Sequence, residues 1–195
     1  MKALARISLA LFCLGIGFCL AACSVPASKV ALSAFTPKLK GEYKEYRGKR
    51  IHLLEVANEA SNTNVWGYYS QDRRVAYVAW PNIHSFFWYA FERALVLAGL
   101  DVVPPERKAP VLPDVQFVMK SVSDADFEFD VRVMKRGASI FKKRYSVTEP
   151  PLPRDQRSES KLKDRANRMA TKVVEKVLDD EDFEEALKKA SERPK

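Results

Sequence analysis

The sequence predicts a single small α+β domain, with a mostly antiparallel sheet and two main helices packed on it. Three β-type runs follow one another over residues 115–147, and one of them alternates strictly between apolar and charged side chains. Two longer runs, 83–98 and 161–178, repeat apolar residues at spacings of three and four, which is typical of amphipathic helices. We therefore expect the helices to cover one face of the sheet.

The first 22 residues have the three parts of a secretory signal peptide. Lys2 and Arg6 form a basic start, an apolar run extends over 7–20, and small residues precede Cys23. A transmembrane helix needs about 20 predominantly apolar residues, and this run is shorter and contains two glycines. A cleaved lipoprotein signal is the main interpretation, and an ordinary signal peptide or a retained anchor are the alternatives.

The stretch Leu20-Ala21-Ala22-Cys23 resembles the bacterial lipobox. That resemblance implies cleavage before Cys23, a diacylglycerol on its thiol and an acyl chain, such as palmitate, on the new amino end. Two or more acyl chains hold a protein stably on a bilayer, since each buried methylene contributes about 0.8 kcal/mol. Ser24, where some lipoproteins have Asp, implies sorting to the outer membrane, so we expect an anchor on its periplasmic face.

Cleavage would leave a basic chain with a single cysteine. The formal charge of +8 would fall to +6, because Lys2 and Arg6 are the only charged residues removed. Cys13 and Cys19 would also be removed, so a lipidated Cys23 leaves no thiol for a disulfide, a metal or catalysis. Export argues against a nucleic-acid partner, and an anionic envelope surface is the more consistent counterpart for the positive charge.

The region after the cysteine begins without any regular period. Residues 23–48 are predicted to be a flexible tether, because they combine prolines, small residues and a charged stretch. The nearly continuous apolar run over 50–57 predicts a strand that is covered on both faces. The runs 65–69 and 74–80, rich in Val, Tyr and Trp, predict two further strands.

The clearest predicted helix extends over 83–98, with Asn82 as N-cap and Gly99 just after its end. Its core face is predicted to consist of eight apolar residues: Ile83, Phe86, Phe87, Ala90, Phe91, Ala94, Leu97 and Ala98. Trp88 and Tyr89 lie at the flanks of that face. They are predicted to form an exposed interface patch, and the alternative is that they belong to the ordinary core.

The second half of the domain predicts a meander followed by helices. The predicted elements are strands at 100–103, 115–122, 127–134 and 139–147, a polar loop at 148–160, a helix at 161–178 and a short final helix behind a cap at Asp179-Asp180. The domain is predicted to span 49–187, and residues 188–195 are predicted to be a charged tail.

The last hairpin of the meander carries a cluster of cations. Its members are Arg132, Lys135, Arg136, Lys142, Lys143 and Arg144. One interpretation is a basic end that binds anionic lipid or lipopolysaccharide, at about 1 kcal/mol per residue near an anionic surface. The other is an exposed edge that its charges protect from aggregation.

Residues that would carry catalysis or bind a metal are scarce. His52 and His84 are the only histidines, and no metal-binding spacing or nucleophile motif surrounds them. The acid pairs Asp124/Asp126 and Asp179/Asp180 lie at turn-like positions, where capping is the ordinary role. We therefore predict a protein that is not an enzyme and needs no metal or cofactor.

The order of elements behind the lipobox resembles the YajG-type lipoproteins and the auxiliary lipoproteins of ABC-type envelope transporters. The likeness is carried by Gln71-Asp72-Arg73-Arg74-Val75, by Ala98-Gly99-Leu100-Asp101-Val102-Val103 after the first helix, and by Val177-Leu178-Asp179-Asp180-Glu181-Asp182-Phe183. The resemblance implies a small α+β periplasmic domain that interacts with other molecules and has no catalytic residues.

These observations predict a membrane-anchored binding or accessory subunit in the cell envelope, for example of a transport or assembly system. Two other functions stay open. One is a structural or self-associating envelope lipoprotein, and the other is a module that binds anionic lipid or lipopolysaccharide through the basic hairpin.

Overall fold

The computed structural model describes residues 27–32, 35–60, 65–69, 76–80, 83–103, 112–123 and 125–191. Within these ranges it contains nine strands and three α-helices. The strands are β1 (Ala27–Ala31), β2 (Arg50–Leu53), β3 (Ala57–Asn58), β4 (Val65–Tyr69), β5 (Ala76–Trp80), β6 (Asp101–Val103), β7 (Asp114–Val122), β8 (Asp126–Lys135) and β9 (Ala138–Thr148). The helices are α1 (Ile83–Leu97), α2 (Glu159–Leu178) and α3 (Glu181–Ser191).

The main sheet has six strands in the order β6-β2-β7-β8-β9, with β3 also paired to β7. The meander β7-β8-β9 is antiparallel, as the sequence predicts, whereas β2 is parallel to both β6 and β7. The α+β single-domain prediction is confirmed, but the main sheet is mixed. The apolar run over 50–57 fits that arrangement, because parallel strands are usually buried on both faces.

Helix α1 lies on the main sheet through aromatic side chains. The ring centroid of Phe87 is 5.0 Å from that of Phe127 and 4.9 Å from that of Phe129, and Phe91 stacks on Phe117 at 4.1 Å. The helix ends where the sequence predicts, since Gly99 has the positive φ of +100° that favours glycine there. Leu97 is 54% exposed, so its predicted place on the core face is wrong.

The buried position in the last turn of α1 belongs instead to Leu95, which is not among the eight residues of the predicted core face. Leu95 is buried because the core covers more of the circumference of α1 than the single predicted face. The final turn therefore shows two exposed apolar side chains, Val96 and Leu97.

A second, smaller sheet has the strand order β1-β5-β4, and we call it the small sheet. Strand β1 pairs with β5 in parallel, from Ala27 opposite Ala76 to Ala31 opposite Trp80. Strands β4 and β5 are antiparallel neighbours. The two predicted strands at 65–69 and 74–80 are thus present, and their partner β1 comes from the predicted tether.

The prediction of a flexible tether over 23–48 is wrong for the described part, residues 27–32 and 35–48. Val30, Leu32 and Tyr46 are buried in the core. Phe35 stacks on Phe86 of α1 at 5.6 Å, and the Tyr46 hydroxyl donates to the carbonyl oxygen of Leu178 at 2.9 Å. The segment has few regular elements, but it packs along the helices.

The C-terminal helices follow the predicted pattern with longer bounds. Ser158 caps α2 by accepting a hydrogen bond from the Lys161 backbone amide, which starts the helix two residues earlier than predicted. Asp180 caps α3 through the amide of Asp182. Ala190 is buried, so the charged tail predicted from residue 188 is part of α3 up to Ser191. Among the described helices, none combines the length and apolarity that crossing a membrane requires.

Candidate functional site

The predicted lipidation site, Cys23, lies outside the described residues. The structure does fix how near the folded domain begins: β1 starts at Ala27, four residues after the cysteine, and Val30 is already in the core. The chain can extend by at most about 3.6 Å per residue. An acylated Cys23 would therefore lie within about 14 Å of the first residue of the small sheet.

The two residues of the predicted interface pair on α1 differ in their exposure to solvent. Tyr89 is 53% exposed, whereas Trp88 is half-buried and packs against the core. The two rings meet edge to face, with centroids 5.2 Å apart and planes at 85°. The indole Nε1 of Trp88 is buried, and no hydrogen-bond partner for it is found among the residues that the structure describes. Tyr89 is thus a surface residue whose ring packs on the partly buried ring of Trp88.

Two further apolar side chains extend the exposed part of α1. Val96, two helical turns after Tyr89, is 48% exposed, and Leu97 follows it. We call Tyr89, Val96 and Leu97 the apolar stripe. Between its ends, Arg93 donates to the carbonyl oxygen of Phe35 at 3.2 Å, which fixes the segment at residue 35 beside the helix. The seven-residue spacing of Tyr89 and Val96 was the sequence signal for this stripe.

The six cations of the basic hairpin do not form one basic end. Strand alternation directs Lys142 and Arg144 to the face of the main sheet opposite the helices, which we call the outer face. Lys143 points to the helix side, beside α3. At the tip, Arg136 and Gly137 both have positive φ, as a two-residue turn of type I′ requires. Lys135 donates to the carbonyl oxygen of Lys189.

On the outer face the cations surround a buried carboxylate. The Asp130 side chain is 2% exposed, accepts from Arg144 Nε at 2.8 Å and lies 3.6 Å from Lys142 Nζ. Arg144 also pairs with Glu128 at 2.8 Å, and Arg132 lies 3.5 Å from Glu59. The hydrogen bond from Arg144 lowers the pKa of Asp130 although burial opposes this. These cations are therefore already balanced by acidic neighbours.

On the helix side the hairpin is tied to the turn between α2 and α3. Lys143 Nζ lies 2.8 Å from carboxylate oxygens of both Asp180 and Asp182, and the Tyr145 hydroxyl donates to Asp180 at 2.5 Å. Burial and this hydrogen bond raise the pKa of the Tyr145 hydroxyl. Burial opposes the ionisation of Asp180, but hydrogen bonds from Lys143 and Tyr145 together lower its pKa. These contacts have a structural role, because they hold strand β9 against the residues that cap α3.

A groove of about 510 Å³ lies between the hairpin and α3. Its lining combines the apolar residues Ile140, Phe141 and Ala186 with four lysines and two acids: Lys135, Lys142, Lys143, Lys189, Asp182 and Glu185. Ile140 is 44% exposed. The predicted basic site is thus a mixed-charge, partly apolar groove at this end of the hairpin.

His52, Asp126 and Asp180 have surroundings that explain them structurally. His52 is buried, with its Nδ1 3.2 Å from Asp114 Oδ1. Asp180 and Asp126 stand at turns, where Asp126 accepts from the Thr148 hydroxyl at 3.1 Å, and Asp124 lies outside the described residues. No group of three or more His, Cys, Asp or Glu side chains within the described ranges is arranged to hold a metal ion.

The comparisons with known proteins concern the fold. No protein-family model and no curated protein matches the sequence. The fold is shared with a solved structure, protein XCC0632 from Xanthomonas campestris, described as family-model DUF330. That match has a TM-score of 0.52 and 7% identity, and it covers 77% of this chain and 92% of the other. A second structure, described only as an uncharacterized protein, has a TM-score of 0.43 and 10% identity, covering 79% and 99%.

Proposed function

We propose that this chain is a lipid-anchored envelope protein that acts by binding another protein, as a non-catalytic accessory subunit of a transport or assembly system. The observation that carries the proposal is the combination of a stretch that resembles a lipobox at Cys23 with a folded domain that begins four residues later. In this proposal Cys23 holds the domain on the periplasmic face of the outer membrane, and the surface of the domain binds the partner protein.

The surface proposed for the protein partner is the apolar stripe of α1. Its three side chains are each about half exposed, which places apolar area on a helix whose other side is buried in the core. Exposed apolar patches on otherwise polar domains commonly mark interaction sites. Arg93 and Glu92 lie between the apolar residues and supply a polar margin of the kind that interfaces have.

Membership in the family of ABC-type transport auxiliary lipoproteins is part of the same proposal. Its support is the sequence likeness at residues 98–103 and 177–183, which the structure places at the end of α1 and at the cap of α3. The fold shared with XCC0632 agrees with a small α+β domain of this kind.

The test is site-specific photocrosslinking in intact cells that make the full-length protein. A photoreactive amino acid replaces Tyr89 or Leu97 in turn, and Lys188, an exposed residue of α3, serves as the control position. We expect the two stripe positions, but not Lys188, to form an adduct with a protein that mass spectrometry identifies as a component of a transport or assembly system.

Other outcomes separate the alternatives. An adduct with a second copy of this chain would contradict the accessory role and favour a self-associating envelope protein. Adducts formed equally at Lys188 and at the stripe positions, or no adducts at any position, would contradict the assignment of the apolar stripe as the partner-binding surface.

A further inference from the structure

We infer that the end of the molecule that contains the small sheet rests on the lipid bilayer surface, and that the tip of the basic hairpin is held away from that bilayer. The inference deepens the proposed function and rests on its lipidation of Cys23. It uses two observations, the short distance between Cys23 and β1 and the position of the small sheet relative to the hairpin.

The first step is the connection to the anchor. Four residue steps lead from Cys23 to Ala27, and together they span no more than about 14 Å. Ala27 opposes Ala76 in the parallel pair, and Ala76 opposes Tyr69 in the antiparallel pair. The beginnings of β1 and β5 and the end of β4 therefore form one sheet end that an acylated Cys23 would keep close to the headgroups.

The second step is that β1 cannot serve as a stalk. Val30 and Leu32 are buried, and Phe35 is stacked on Phe86. Lifting the domain from the membrane on an extended leader would require these side chains to leave the core. The anchor thus restricts the orientation of the domain as well as its location.

The third step locates the small sheet at one end of the main sheet. Strand β5 ends at Trp80, three residues before α1 begins at Ile83. The first turns of α1 lie over Phe127, near the start of β8, where Asp126 opposes Thr148. The hairpin turn at Arg136 lies at the other end of β8, about 30 Å along a strand that rises about 3.4 Å per residue.

An anchor at the small sheet therefore leaves the hairpin tip pointing into the periplasm. A domain held at the small sheet presents its opposite end, with Arg136, Ile140 and the groove beside α3, to molecules other than the anchoring bilayer. This arrangement also accounts for the acid partners of Lys143 and Arg144, since a surface that binds anionic lipid would favour cations without such partners.

The experiment is depth-dependent fluorescence quenching of the full-length lipoprotein in vesicles of phosphatidylethanolamine and phosphatidylglycerol that contain a headgroup nitroxide lipid. Cys23 is the only cysteine of the processed chain and its thiol would be acylated, so an introduced cysteine can be labelled alone. Ala76→Cys reports on the small-sheet end, and Ala138→Cys reports on the hairpin tip.

We expect quenching at position 76 to exceed that at position 138 at least threefold. Equal quenching, or stronger quenching at 138, would overturn the inference. A flexible linker of 20 Gly and Ser residues inserted after Ser24 should abolish the difference, because its root-mean-square length is about 25 Å. A difference that survives the linker would overturn the role of the short connection.

Failure of the proposed lipidation has a different signature. A chain without acyl groups would not incorporate labelled palmitate and would not float with the vesicles. The quenching comparison is made only on protein that meets both criteria, so its result bears on orientation alone.

Discussion

At the scale of single residues, the account depends on how charged side chains are paired. Asp130 is the clearest case, because its carboxylate is almost completely buried beneath Arg144 and Lys142. The sequence showed the cations of the hairpin but not the acids that pair with Arg132 and Lys143, because those acids come from other elements of the chain: Glu59, Asp180 and Asp182. A linear cluster of charge therefore says little about net charge on the folded surface.

Replacing Asp130 with Asn should make the protein less stable at neutral pH and flatten its response to acid. The folded-state pKa of Asp130 is lowered, while an unfolded Asp has a pKa of about 3.9. Its stabilisation is thus complete above about pH 5 and is lost as the pH falls through the folded-state value. Urea unfolding between pH 3 and pH 7 measures this.

For Asp130→Asn we expect a loss of about 1.5–3 kcal/mol in unfolding free energy at pH 7, the range for hydrogen bonds to charged groups. Asp164→Asn, on the exposed side of α2, is the matched control and should change the value by less than about 0.5 kcal/mol. Parallel pH profiles of the Asp130 variant and the wild type would show that Arg144 does not hold this carboxylate.

Trp88 and Tyr89 should respond differently to replacement by Ser. Trp88→Ser removes a half-buried ring and should lower the unfolding free energy by about 1.5–3 kcal/mol. Tyr89→Ser should change stability by less than about 0.5 kcal/mol and should reduce the crosslinking yield from Leu97 to its partner. A Tyr89→Ser chain that unfolds early yet crosslinks normally would place this ring in the core and not in an interface.

At the scale of elements, the sequence predicts best what is local. Helix α1 and strands β7 to β9 match their predicted ranges within about two residues, because the apolar period lies within each segment. The tether prediction is wrong over residues 27–32 and 35–48 for the opposite reason. The packing partners of this segment lie in β5, α1 and α2, more than forty residues away from Val30, Leu32 and Phe35. A local apolar period therefore does not reveal that these side chains are buried.

Leu32→Ala tests whether this segment belongs to the domain. The side chain is buried, so its truncation should lower the unfolding free energy by about 2–5 kcal/mol, the range for large-to-small changes in a core. Lys38→Ala, at an exposed position of the same segment, is the control and should be nearly neutral. Indistinguishable denaturation midpoints for the two variants would restore the tether interpretation.

At the scale of the whole molecule, the fold places three features in a defined order. The anchor is expected beside the small sheet, the apolar stripe lies along α1, and the hairpin tip is at the far end of β8. The sequence alone predicted the anchor, the hairpin and the Tyr89 end of the apolar stripe, but it predicted neither Leu97 in that stripe nor this order. The order depends on the parallel pairing of β1 with β5 and on the direction of α1 over the main sheet, which are long-range contacts.

The central claim is that the domain is held on a membrane by acyl groups on Cys23, and the most direct measurement is the mass of the amino-terminal peptide from the purified membrane-bound protein. We predict a peptide that begins at Cys23 and carries a diacylglycerol and one further acyl chain, together with palmitate incorporation that Cys23→Ala abolishes while unprocessed precursor accumulates. A mature chain that begins elsewhere without lipid, or palmitate incorporation that survives Cys23→Ala, would contradict it.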